Sequence, residues 1–117
     1  MSIVRFNQSL MANDVDSGIC VAVAKNWWRR AIGLLLTPYL DERSGLWIEP
    51  CSSIHMLGMR YPIDVLFLDV TGRVMSFRDE LKVCRFCFQS GAHVAVELHA
   101  GARKCANINV GDRLRIL

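Results

Sequence analysis

The sequence predicts a mainly β domain, a jelly-roll-like sandwich or barrel of short strands with one or two short helices. Three observations carry that expectation. Ile63–Leu68 is apolar at nearly every position, the pattern of a strand buried on both faces. Arg73–Cys84 and His93–His99 alternate apolar and polar residues, the period of a half-covered strand. Turn chemistry recurs at short intervals, as at Val70-Thr71-Gly72 and Val110-Gly111-Asp112.

Length and composition set the outer limits. The 117 residues suit one core, and 52% hydrophobic with 21% charged residues is the balance of a folded chain. A net charge of +3, scattered along the chain, leaves no nucleic-acid footprint, so no nucleic acid is expected as a partner. No apolar run approaches the roughly 20 residues of a membrane span, and the N-terminus lacks a secretory h-region. The expectation is a cytoplasmic monomer without a membrane partner. Five cysteines, Cys20, Cys51, Cys84, Cys87 and Cys105, form an odd set that argues against a disulfide scaffold.

The elements follow in order. Residues 1–18 read as a weakly ordered arm or an edge strand, ahead of a single β-rich domain over 19–117. Ile19–Ala24 is a strand by its alternating branched residues. Asn26 is placed to cap a helix over Trp27–Leu36, with Trp28, Ala31, Ile32 and Leu35 on one face and Thr37-Pro38 as its stop. Asp41–Gly45 is a turn and Leu46–Ile48 a short strand. Beyond Ile63–Leu68, the alternation puts Met75, Phe77, Leu81 and Val83 on a covered face and Ser76, Arg78, Glu80 and Lys82 on a wet one. Asp79 interrupts that pattern, which predicts a bulge near it. Phe86–Gly91 reads as a loop. In His93–His99, the parity puts Val94, Val96 and Leu98 inside, with His93, Ala95, Glu97 and His99 on a solvated face. A short helical turn within Ala100–Asn107 and a closing strand over Leu114–Leu117 complete the chain, with Arg73, Arg113 and Arg115 guarding sheet edges. Trp27, Trp28 and Trp47 are expected in the core.

The order of motifs resembles domain-of-unknown-function family 192. The words that carry it are Gly33-Leu34, Gly45-Leu46, Ser53-Ile54-His55, the central Met59-Arg60-Tyr61-Pro62-Ile63-Asp64, Gly72-Arg73-Val74, Glu97-Leu98-His99-Ala100-Gly101, and Val110-Gly111-Asp112-Arg113-Leu114. The resemblance spans roughly residues 19–117. It implies a jelly-roll-like β sandwich and no particular reaction. Leu35 and Thr37 stand where the family usually has a methionine and a basic residue.

Candidate chemistry falls into three groups. Cys51, His55, Cys84 and Cys87 are two short-spaced pairs that could supply the tetrahedral donor set of zinc. The spacing is poor for a zinc knuckle, and buried thiols with a hydrogen-bonded histidine explain it without a cofactor; none is predicted. His55, Met59, Arg60 and Asp64 form the second group. A carboxylate in an apolar strand must be paired or hydrogen-bonded, either to Arg60 or to backbone N–H groups. Glu97 is third, a candidate partner of Asp64 for acid–base work. No catalytic motif is present, so enzymatic activity is left open. The favoured reading is a non-catalytic module binding an unknown small molecule or protein through His55, Met59, Arg60, Asp64 and Glu97. A hydrolytic or metal-assisted enzyme and a pocketless interaction module are the alternatives.

Overall fold

In the computed structural model, the described residues are 5–25, 40–56, 59–82 and 85–117. The helix expected over Trp27–Leu36 lies outside them, as do Trp27, Trp28, Val83 and Cys84. The fold is mainly β. Its strands are β1 (Gln8–Ala12), β2 (Val15–Ala24), β3 (Ser44–Ile48), β4 (Ser53–His55), β5 (Ile63–Leu68), β6 (Val74–Leu81), β7 (Phe86–Phe88), β8 (Val94–His99) and β9 (Leu114–Ile116), with one described helical turn, α1 (Ala102–Cys105).

Seven strands form one sheet in the order β6-β5-β8-β3-β2-β1-β9, and β4 pairs with β7 in a separate ribbon. Within the sheet only β2 and β3 run parallel; the other neighbours are antiparallel. The sheet curls until its two edges meet at one antiparallel bridge, Arg73 opposite Arg113, flanked by backbone hydrogen bonds between residues 72–74 and 111–114. It is not a closed barrel.

The curl divides the core in two. Inside it lie Leu10, Ile19, Val21, Trp47, Leu66, Leu68, Val94, Val96, Leu98 and Leu114, sealed by Ala102 of α1 and by Ile108. The outer face carries Leu46, Ile48, Ile63, Val65, Phe67 and Ala95 under Ile54 and Cys87 of the β4–β7 ribbon, with Leu40 and Met56. β5 is buried at all six positions because both clusters press on it. The continuous apolar run in the sequence has this cause.

Residues 8–18, read from sequence as an arm or edge strand, form β1 and the start of β2. β1 lies between β2 and β9. Asn13 and Asp14 both adopt positive φ, 51° and 64°, which lets two short polar side chains turn a tight hairpin. Phe86–Gly91 is not wholly a loop, since Phe86–Phe88 pairs with β4.

The bulge expected near Asp79 is present. Ile63 faces Leu81 while Val65 faces Arg78, so Asp79 and Glu80 together stand against Asp64. Glu80 takes φ 52° at the kink. The extra residue reverses the strand's phase: Phe77 packs on the inner cluster but Leu81 on the outer one. Met75, Phe77 and Leu81 therefore do not share the single face that alternation suggested, because a period-2 pattern survives only without an insertion. The solvated face expected on β8 is a second correction. Ala95 and Glu97 are both fully buried. β8 runs between β5 and β3 in mid-sheet, and the outer layer covers that side too.

Candidate functional site

Asp64 is 1% exposed and on the inner face, opposite Leu98. Its Oδ1 accepts the Glu80 N–H at 2.8 Å. Its Oδ2 accepts the N–H groups of Gly101 and Arg103 at 3.0 and 3.1 Å. One carboxylate thus ties the β6 bulge to the turn that opens α1. Of the two partners the sequence offered, Asp64 bonds to backbone; Arg60 is exposed elsewhere.

Next to it stands an ion pair that sequence reasoning missed. Arg103 is 6% exposed. Its Nε and Nη2 grip the two oxygens of Asp79 at 2.6 and 2.8 Å. Nη1 donates to the Ile108 carbonyl at 2.9 Å, and the guanidinium lies 3.8 Å from the centre of the Phe77 ring. These hydrogen bonds, assisted by the guanidinium charge and opposed by burial, hold the Asp79 carboxyl below the usual range. The same contacts raise Arg103. The only clue in the sequence was Asp79 breaking the strand pattern; an arginine in a helical turn ordinarily reads as solvated.

Glu97 is fully buried on the outer face, with Val65 and Leu46 as its cross-strand neighbours. Asp64 projects from the opposite side of the same sheet. The two carboxylates proposed as an acid–base pair are therefore kept apart by the sheet itself, since residues of opposite parity on paired strands cannot meet. His55 is exposed on β4 opposite Phe86, and Met59 packs at the rim of the outer cluster. His55, Met59, Arg60 and Glu97 thus belong to the outer side or its margin, and Asp64 to the inner. They do not form one wall.

The suggested zinc ligands divide as well. Cys87 points into the outer core opposite Ile54, whereas His55 alternates to the other face of the ribbon. The Cys51 Sγ lies 3.1 Å from the Ser53 carbonyl. Among the described residues no three of His, Cys, Asp or Glu converge as a metal site. Cys84 lies outside the described residues.

A concave site does exist elsewhere. A cavity of about 540 Å³ opens where the start of β2, the turn before β3 and the β8–α1 turn converge. Ser17, Glu42, Arg43, His99, Gly101 and Cys105 contribute to its lining. Local geometry explains how these meet. Gly18 takes φ 82° in the β2 bulge, with the Ser17 hydroxyl donating to the Leu10 carbonyl at 2.6 Å. Asp41 turns the chain by accepting the Arg43 N–H, and the Arg43 carbonyl accepts from Cys20. His99 Nδ1 lies 2.7 Å from the Leu40 carbonyl, which can only accept, so Nδ1 donates there and Nε2 is the ring's other hydrogen-bonding atom. Sequence reading placed His99 on a strand face but did not connect it to Ser17 or Arg43, because the three are joined only by tertiary pairing.

Comparison with known proteins gives the fold and the family. A Thermococcus sibiricus protein of the class UPF0127 is 29% identical over 99 residues, covering 80% of this chain. The chain spans about 64% of that relative's length. A Novosphingobium aromaticivorans protein of unknown function has a similar structure, with TM-score 0.76 and 20% identity, over 92% of this chain and 83% of that one. A Sinorhizobium meliloti structure, described as that of "a putative transcription regulator", matches at TM-score 0.74 and 20% identity, over 84% and 81% of the two chains. At that identity the likeness is one of fold. The profile of domain-of-unknown-function family 192 (DUF192, uncharacterized ACR) matches residues 9–116, and the chain belongs to that family.

Proposed function

We propose that this small β domain is a non-catalytic binding module and that its ligand, a small polar molecule bearing an anionic group, occupies the cavity beside His99. The observation that carries this reading is the cavity itself. Its volume of about 540 Å³ lies within the range of small-molecule sites, and few polar groups converge on it. Arg43 offers a charged fork for a carboxylate or phosphate. With Nδ1 committed to the Leu40 carbonyl, His99 leaves Nε2 to hydrogen-bond a polar group of the ligand. This replaces the wall of His55, Met59, Arg60, Asp64 and Glu97, whose members lie on two sides of the sheet.

The test is amide chemical-shift mapping of the chain against a panel of small carboxylates and phosphate esters. Saturable shifts confined to Ser17–Ile19, Glu42–Arg43 and His99–Ala106, weakened about tenfold or more by Arg43→Ala, are expected. Saturable shifts centred on another surface, or none across the panel, would overturn the assignment.

A further inference from the structure

We propose that the cavity beside His99 takes a zwitterion, an α-amino acid with an apolar side chain; this rests on the binding role given to that cavity and names its ligand class. The charges at the mouth carry the inference. Glu42 and Arg43 are consecutive, both are exposed, and both line the cavity. Among the described residues neither side chain enters an ion pair, with the other or with a third group. A ligand with only a negative charge would attract Arg43 and be repelled by Glu42, and a lone cation would meet the converse. A molecule carrying ammonium and carboxylate on one carbon answers both, since the two side chains spring from Cα atoms about 3.8 Å apart.

The backbone that presents this pair is fixed. The Arg43 N–H donates to Asp41 Oδ1 at 2.8 Å, and the Arg43 carbonyl accepts the Cys20 N–H at 2.8 Å. The turn is therefore tied both to itself and to β2, which lowers the cost of ordering it around a ligand. Deeper in the cavity the chemistry changes. Ile19 and Ala102 are 4% and 6% exposed and belong to the inner core cluster, with Ala106 packed against it. All three line the cavity. Exposed charges and buried aliphatic groups thus divide the site into a polar mouth and an apolar floor. A charged head stays at the mouth, and an apolar side chain displaces water from Ile19 and the two alanines. His99 keeps Nε2 for a polar group of the head, its Nδ1 being committed to the Leu40 carbonyl.

Amide chemical-shift titration of the full chain with L-leucine, isocaproate, isoamylamine and L-asparagine tests this directly. Isocaproate is leucine without its ammonium and isoamylamine is leucine without its carboxylate, while asparagine puts an amide in place of the apolar branch. Leucine should shift the amides of Glu42, Arg43 and His99–Ala106 saturably and bind about tenfold or more tighter than each of the other three. Glu42→Gln should bring leucine down to the level of isocaproate without weakening isocaproate itself, and Arg43→Gln should bring it down to the level of isoamylamine. Both positions are exposed, and thermal melts of both variants verify that they fold. Isocaproate binding in the cavity as tightly as leucine, or leucine binding that folded Glu42→Gln leaves unchanged, would overturn the zwitterion while an anion-binding cavity stands. Asparagine binding as tightly as leucine would overturn the apolar side chain. If none of the four binds there but another carboxylate or a phosphate ester does, this inference alone falls. If no compound binds there, or the saturable shifts centre on another surface, the cavity reading falls with it.

Discussion

Asp64 is the residue on which three segments depend, and its energetics follow from what it accepts. Replacing it by alanine leaves the N–H groups of Glu80, Gly101 and Arg103 without their acceptor, the last of them buried and the other two partly so. An unsatisfied buried donor costs about 1–3 kcal/mol, and the three are coupled, so Asp64→Ala should lose about 3–4 kcal/mol in urea unfolding. Asp79 supplies the pH dependence. Its folded carboxyl lies below the ordinary value, held there first by the Arg103 hydrogen bonds. The unfolded chain therefore binds the proton more readily. This contribution is complete above the unfolded carboxyl value, about pH 4, and drains away as pH falls through the lower folded value. Asp79→Asn should be less stable than the parent at neutral pH and show a shallower loss on acidification, as read by denaturant midpoints across pH. Asp64 was legible as a residue needing backbone or charged partners, because an isolated acid in an apolar strand leaves no other option. Glu97 was not legible: alternation reports which residues share a face, not what covers that face.

At the scale of elements, strand identity was mostly readable and strand environment was not. β5, β8 and β9 follow from apolar runs and alternation, and the β6 bulge from one misplaced acid. β4 and β7 escaped because three residues with no turn signal beside them carry too little pattern to separate them from loops, whereas the equally short β9 follows the Val110-Gly111-Asp112 turn. Neighbouring strands also impose close approaches that composition cannot reveal. Gly45 sits in β3 between β2 and β8, where an added Cβ would lie 2.7 Å from Leu98 Cδ2 and 2.9 Å from the Glu97 carbonyl oxygen. The leucine end can rotate away, but the backbone oxygen can move only with β8. Gly45→Ala should therefore cost about 2–3 kcal/mol through overpacking, measured as a lowered urea midpoint. Its effect should extend to the cavity. Both Arg43 and His99 flank this crossing in sequence, so amide shifts in Gly45→Ala are expected at the cavity rim as well as in β3 and β8.

For the whole molecule, the decisive contact joins the chain's two ends. β9 pairs with β1, Ser9 and Leu117 exchange backbone hydrogen bonds at 3.1 and 2.9 Å, and Arg113 meets Arg73 at the other edge. The sequence marked a closing strand near Leu114 but could not name its partner, since nothing local in Leu114–Ile116 specifies β1. Leu114 is 2% exposed in the inner cluster, and Asp112 is drawn below the usual carboxyl range by the Asn109 N–H and the Asn13 side chain. Deleting residues 112–117 removes this seam at once: the β1 edge is uncovered, the inner cluster loses Leu114, and β6 loses the Asp112 carbonyl that accepts the Val74 N–H. Leu114→Ala removes only the buried side chain and should cost about 2–4 kcal/mol while keeping a single cooperative transition. The deletion should instead abolish that cooperativity and expose an unpaired strand edge that promotes association. Urea unfolding followed by both tryptophan fluorescence and circular dichroism, with light scattering, distinguishes the two. Coincident transitions in the deleted chain would mean that the curl holds without its seam, and that the core around β5 and β8 alone sustains the fold.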